Sequence, residues 1–243
     1  MPSKIIAGNW KMNGLQSSLQ ELIEISIAAT HLSCTTVICP PATLVLAAAQ
    51  TQDIISVGGQ DCHDKTHGPY TGDISAAMLA DSGAKYVIVG HSERRAEYGE
   101  TNSLVKRKAT VALASNLTPI ICVGETLDER KTGRTIEIIS RDLNASLPEV
   151  SDFIVAYEPM WAIGTGLIPS INEITEVHDA LRDLLKDRFD IAGQKIPLLY
   201  GGSVKSSNAT EIFECKNVNG ALVGGASLTA KDFIPIMHSL SNS

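Results

Sequence analysis

Eight short apolar runs recur along the chain, each bounded by turn-forming residues and followed by a stretch with helical spacing. The runs are Lys4–Asn9, Thr35–Cys39, Ile54–Gly59, Ala84–Gly90, Thr118–Val123, Phe153–Glu158, Ile196–Gly201 and Gly220–Gly224. They are nearly continuous in apolar character rather than alternating, the pattern of parallel strands covered on both faces. The intervening segments predict helices over Leu15–Thr30, Ala42–Gln50, Ser75–Ser82, Asn102–Ser115, Thr135–Ser146, Ile171–Phe189, Ser206–Glu214 and Lys231–Leu240. In the sixth of these, Ile174, Val177, His178, Leu181, Leu184 and Leu185 fall on one core-facing stripe. Ser206 or Ser207 is the expected cap of the seventh, with Glu211 in its early turns.

Eight such units are the size of an α/β fold in which eight parallel strands, ringed by helices, close into one (β/α)8 barrel. No linker or low-complexity segment interrupts the pattern, so residues 1–243 are expected to form a single domain. An open doubly wound sheet would show G-x-G-x-x-G after the first strand. The chain instead reads Ala7-Gly-Asn-Trp-Lys-Met-Asn-Gly14 there. No apolar run approaches the ~18 residues of a membrane span. The N-terminus carries no long apolar segment, so a cytoplasmic location is expected. Five cysteines without a C-x-x-C pair read as reduced, small apolar residues. The net charge of −7 argues against nucleic acid as partner. It also requires that any anionic substrate be captured by local groups.

A barrel gathers the C-terminal ends of its strands on one face. There strand one would present Asn9 and Lys11, and strand four Gly90-His91-Ser92-Glu93. Strand six would present Glu158, strand seven Gly201-Gly202-Ser203, and strand eight Gly224-Gly225-Ala226-Ser227. Glycine pairs let backbone N–H groups approach an anion unobstructed. His91 beside a carbonyl suits an electrophile or proton shuttle, and Glu158 suits a base. Lys11 supplies positive charge, and Asn9 hydrogen bonds. Pro159 stops the sixth strand directly after Glu158, and a greasy segment with glycine at its far end follows. Such a segment can hinge over the carboxylate and exclude water.

Each residue also has a bland reading: a structural histidine, a tight Gly-Gly turn, a solvated lysine, a turn asparagine. Their co-occurrence on one face carries the argument. His63 and His67 sit in a loop rather than at helical spacing, so no metal site is expected. Lys106-Arg107-Lys108 and Asp128-Glu129-Arg130-Lys131 read as solvated helix faces. Cys122 reads as a packed small residue, not a nucleophile.

Five motifs, in order, resemble the triosephosphate isomerases, a standard worked case of pKa tuning and loop gating. They are Asn9-Trp-Lys11, Gly90-His-Ser-Glu-Arg-Arg95, the segment from Ala156 to Gly166, Tyr200-Gly-Gly-Ser-Val204 and Leu222-Val-Gly-Gly-Ala-Ser-Leu228. The likeness runs from Lys4 to about His238. It implies an isomerase of glycolysis and gluconeogenesis that interconverts D-glyceraldehyde 3-phosphate and dihydroxyacetone phosphate through a cis-enediolate, without cofactor or metal. By the resemblance, Glu158 moves the carbon-bound proton. His91, kept neutral by a depressed pKa near a helix N-terminus, polarises the carbonyl. Lys11 and Asn9 stabilise the oxyanion, with Glu93 beside Lys11 or His91. Backbone N–H groups of Gly164, Ser203, Gly224 and Gly225 hold the phosphate. Pro159–Thr165, with Trp161 and Ile163, forms the lid, with Tyr200 as support. The family is typically a homodimer, which makes Gln60–Asp73 the loop that enters the partner, with Thr71 at its tip. The chain departs from the family at Leu167-Ile168-Pro169, where lysine and small residues are usual, and at Met160, where valine is usual. Its segments at Asn144–Asp152 and at the C-terminus are also short.

Rival readings have discriminating features. A Schiff-base aldolase would need a lysine inside the barrel, but Lys4 and Lys85 lie at the starts of their strands. A catalytically dead phosphate-binding protein would be expected to lack Lys11, His91 or Glu158, and all three are present.

Overall fold

Eight strands pair in chain order into a closed parallel barrel. They are β1 (Ile5–Asn9), β2 (Thr35–Cys39), β3 (Ser56–Gly59), β4 (Tyr86–Val89), β5 (Thr118–Val123), β6 (Ile154–Tyr157), β7 (Leu198–Tyr200) and β8 (Gly220–Val223). The computed structural model describes residues 2–163 and 167–243. Ile5 of β1 lies opposite Thr35 on one side and Gly220 on the other, so the sheet has no free edge. Ala7, Val37, Cys39, Ile88, Cys122 and Leu199 fill the barrel interior. Their outward neighbours Ile6, Ile38, Val87, Ile121 and Leu198 pack in the layer beneath the helices. Both faces are therefore dry, which is why the runs are apolar throughout.

Ten helices surround the barrel among the described residues. They are α1 (Leu19–Ala29), α2 (Ala42–Thr51), α3 (Ala76–Asp81), α4 (Ser92–Tyr98), α5 (Asn102–Ala114), α6 (Leu127–Lys131), α7 (Thr135–Ser146), α8 (Ile171–Gly193), α9 (Ala209–Phe213) and α10 (Ala230–Asn242). Ser170 and Glu173 form a capping box that starts α8. The α8 stripe buries Ile174, Val177, His178, Leu181 and Leu185, with Leu184 partly covered. The helix is kinked at Asp190, whose φ is 51°.

Some expectations are corrected. Short helices α4 and α6 add to the simple alternation. The strands are trimmed by one or two residues where turns take over, as at Ala84 and Ile196. Asn208, not Ser206 or Ser207, precedes α9, and its carboxamide turns away to accept from the Lys205 N–H at 2.8 Å. Lys108 is not solvated: it is buried, and its ammonium lies 2.6 Å from Glu100 and 2.7 Å from Asp61. An isolated buried ammonium is costly, and these two carboxylates offset that cost. Among the described residues no His/Cys/Asp/Glu group is arranged to hold a metal. Among the described residues no helix is long and apolar enough to cross a membrane.

Candidate active site

β1 delivers Asn9 as its last, buried residue. The chain then turns sharply, because Lys11 takes a left-handed φ of 54°. Such a backbone costs a non-glycine residue on the order of 1 kcal/mol. Two contacts hold it. The Asn9 side-chain oxygen accepts the Lys11 N–H at 3.0 Å. Gln60, just past β3, donates its amide to the Lys11 carbonyl at 2.9 Å and to that of Cys39 at 2.8 Å. The Lys11 ammonium then meets Glu93 Oε1 at 2.5 Å.

After β4, Gly90 adopts a φ of 68°, and a Cβ there would lie 2.7 Å from Val105. Only glycine fits this turn. Arg95 clamps it by donating to the Gly90 carbonyl at 2.7 Å and the Cys122 carbonyl at 3.1 Å. His91 is thereby set as the N-cap of α4, with Nδ1 accepting the Glu93 N–H at 3.2 Å. That bond commits the Nδ1 lone pair and leaves the proton on Nε2. Nε2 points at Glu158 Oε1, 2.9 Å away.

Glu158 follows β6 and is 1% exposed. Its N–H donates to the Val123 carbonyl at 2.7 Å, and its Oε2 accepts the Ser92 N–H at 2.9 Å. Burial works to raise its pKa, but His91, the Ser92 amide and Lys11 together hold it below the ordinary carboxylate range. His91 departs from expectation. Burial alone would lower its pKa, yet the adjacent Glu158 carboxylate outweighs burial and raises it. The expected depression fails here because the carboxylate lies against the imidazole.

The loops after β7 and β8 close the other side. A Cβ on Gly202 would lie 2.2 Å from the Tyr200 hydroxyl, while one on Gly225 would meet nothing within 4 Å. A Cβ on Gly224 would approach only the Lys11 side chain, at 3.6 Å. The result is a cavity of about 310 Å³ lined by Asn9, Lys11, His91, Glu158, Ile163, Ser203, Gly224 and Gly225, with Lys205 also on its wall. The expected residues converge from strand ends far apart in sequence.

The expected lid begins at Pro159 and passes through a short 3-10 turn at Met160–Ala162. Glu125, at the end of the β5 loop, anchors it. Its backbone carbonyl accepts the Met160 N–H at 3.1 Å. Its buried Oε1 accepts Trp161 Nε1–H at 2.9 Å and the Tyr157 hydroxyl at 3.1 Å. Burial raises the Glu125 pKa, against the pull of these donors. Ser203 Oγ donates to the Ala162 carbonyl at 3.0 Å, tying the lid base to the β7 loop. Tyr200 lies beneath, 6.2 Å from the Tyr157 ring. Gly164, an expected phosphate ligand, lies outside the described residues, with Thr165 and Gly166. Thr71 is exposed in the loop after β3 and does not line the cavity.

Gln60, Arg95 and Glu125 are supporting residues that sequence reading overlooked. Gln60 and Glu125 carry the same signal as the others, a polar residue just past the C-terminal end of a strand, at β3 and β5.

The family model described as triosephosphate isomerase matches residues 4–240. A triosephosphate isomerase of Ruegeria sp. (strain TM1040) is 53% identical over 246 residues, covering 100% of each chain. One of Afipia carboxidovorans (strain ATCC 49405 / DSM 1227 / KCTC 32145 / OM5) is 52% identical, covering 98% of this chain and 99% of its own. The crystal structure of triosephosphate isomerase from Bartonella henselae superposes with a TM-score of 0.92 at 45% identity, covering 97% of this chain and 98% of its own. With the fold, the converging side chains and these matches in agreement, this chain belongs to the triosephosphate isomerase family.

Proposed function

We propose that Glu158, His91, Lys11 and Asn9 carry the family's reaction, the interconversion of D-glyceraldehyde 3-phosphate and dihydroxyacetone phosphate. The carrying observation is the convergence of a buried carboxylate, an imidazole with an oriented Nε2–H and a lysine beside two glycine-rich loops. The phosphate dianion sits on the backbone N–H groups of Ser203, Gly224 and Gly225, with Gly164 contributing from the lid. Substrate entry separates Glu158 from His91. The Glu158 carboxylate then takes the proton from the carbon beside the carbonyl. His91 loses the charge that raised its pKa, so burial and the amide on Nδ1 favour the neutral ring. Nε2–H hydrogen-bonds the carbonyl oxygen as negative charge develops, and Lys11 and Asn9 share that charge. Glu158 returns its proton to the neighbouring carbon while His91 moves a proton between the two oxygens. The hydrogen travels as a proton, so this chemistry asks for no redox cofactor. Lid closure keeps water from the enediolate.

Isomerisation run in D2O tests the base. The expected product carries carbon-bound deuterium from exchange at Glu158. A product free of carbon-bound deuterium at every stage would instead support direct hydride transfer.

The reading extends to a single-domain, cytoplasmic homodimer. Free, mostly buried cysteines fit a reducing compartment. Met12 and Leu15, in the segment after β1, and Tyr98, at the end of α4, are 96%, 75% and 72% exposed. Both segments are tied to the base of the Gln60–Asp73 loop, through the Gln60–Lys11 bond and the Arg94–Asp61 pair at 2.9 Å. Exposed large apolar side chains on segments tied to one loop favour a second subunit. Sedimentation at micromolar concentration is expected to give twice the chain mass, and a stable active monomer would overturn the dimer.

A further inference from the structure

The cavity has a second cation, Lys205, which the reaction described above does not use. Its backbone is fixed by a tight turn. Asn208 accepts the Lys205 N–H at 2.8 Å and donates to the Ser203 carbonyl at 3.1 Å. The Asn208 and Ala209 N–H groups donate back to the Lys205 carbonyl at 3.1 and 3.0 Å. This turn joins Lys205 to Ser203, whose N–H is one of the proposed phosphate donors. The two cavity lysines differ in what already holds them. The Lys11 ammonium is engaged by Glu93 at 2.5 Å. Among the described residues, no carboxylate or hydrogen-bond acceptor engages the Lys205 ammonium. An unpaired cation on the wall of the cavity that holds the proposed anion cradle, on a chain of net charge −7, is placed to act on a dianion before it docks.

We propose that Lys205 is the recruiting cation of the phosphate subsite, setting the affinity and the salt dependence of phosphate-monoester capture. The proposal rests on the cradle at Ser203, Gly224 and Gly225. Because Lys205 lines the cavity yet is exposed to solvent, its contribution is made mainly on binding. Its charge also attracts the dianion from beyond contact distance, so part of the effect is on the encounter rate and is screened by salt.

The test measures kcat, KM and competitive inhibition by inorganic phosphate at low and high ionic strength. It compares the wild-type enzyme with Lys205→Ala, Lys205→Arg, Lys205→Glu and Gly225→Leu. Lys205→Ala is expected to raise KM and the phosphate inhibition constant together, by about twofold to fivefold at low salt. The loss falls on KM rather than kcat, and the gap from wild type narrows at high salt. Lys205→Arg restores most of the affinity, and Lys205→Glu is worse than Lys205→Ala. If Lys205→Ala leaves KM, phosphate inhibition and the salt slope unchanged while Gly225→Leu abolishes phosphate inhibition, the cradle stands and the role of Lys205 is overturned. If Gly225→Leu leaves phosphate inhibition intact, the cradle itself is misplaced and the proposal falls with it. A loss in kcat with KM unchanged, unrescued by arginine, would mark Lys205 as structural and also overturn the proposal.

Discussion

Lys11 shows what a site residue requires beyond its own chemistry. Its left-handed backbone is held by Gln60, a residue 49 positions away that forms no part of any Asn-x-Lys motif. The motif could be read from the sequence, but its support could not, because the contact exists only once β1, β2 and β3 lie side by side. The same holds for His91. A histidine at a strand end was visible, but the Glu93 amide that fixes its tautomer, and the carboxylate that raises its pKa, come from the fold. His178 gives a prediction at this scale. It is wholly buried, its Nδ1–H donates to the Asn217 carbonyl at 3.2 Å, and Nε2 has no partner among the described residues. Burial pushes its pKa down to about 4. The unfolded chain therefore binds a proton between about pH 6.5 and pH 4 that the folded chain refuses. Stability from this group is complete above that window and declines as pH falls through it, by about 3 kcal/mol in all. Urea unfolding at pH 7 and pH 4.5 checks this: His178→Gln is expected to lose much less stability over the interval than wild type. Equal losses in the two proteins would show that His178 is not the sensor.

At the element scale, the strands were the most legible feature. Strands buried on both faces must be apolar at every position, and this barrel buries both. Helices α4 and α6 were illegible as separate elements. Ser92–Tyr98 and Leu127–Lys131 span two turns or fewer, and their mostly polar residues leave no stripe to detect. The proposed lid is anchored through its neighbours. Its near end is pinned by Glu125 and Ser203. Its far end runs through Pro169, buried and directly before the Ser170 cap of α8. Proline fixes its own φ and restricts Ile168 before it. Pro169→Ala is expected to speed lid exchange a few-fold, with the chemical step retained, read by relaxation of the Trp161 indole signal alongside turnover. Unchanged exchange and unchanged turnover would show that Pro169 does not govern the lid.

At the scale of the whole molecule, closing the barrel turns five scattered motifs into one cavity. Asn9, Lys11, His91, Glu158, Ser203 and the Gly224-Gly225 pair belong together only because β8 pairs with β1. The sequence made this convergence legible because strand ends could be counted and barrels gather them on one face. It left the exposure of Met12 and Tyr98 unread, since exposure is a property of the folded chain. The central claim is that Glu158 is the base of a triose-phosphate isomerisation. A coupled assay of glyceraldehyde 3-phosphate conversion to dihydroxyacetone phosphate, on wild type and Glu158→Gln in parallel, tests it most directly. The expected result is fast wild-type turnover and a kcat lower by at least about a thousandfold in the variant, which keeps the fold but has no carboxylate to accept the proton. A folded wild type without activity, or a Glu158→Gln variant that turns over within tenfold of it, would contradict the account.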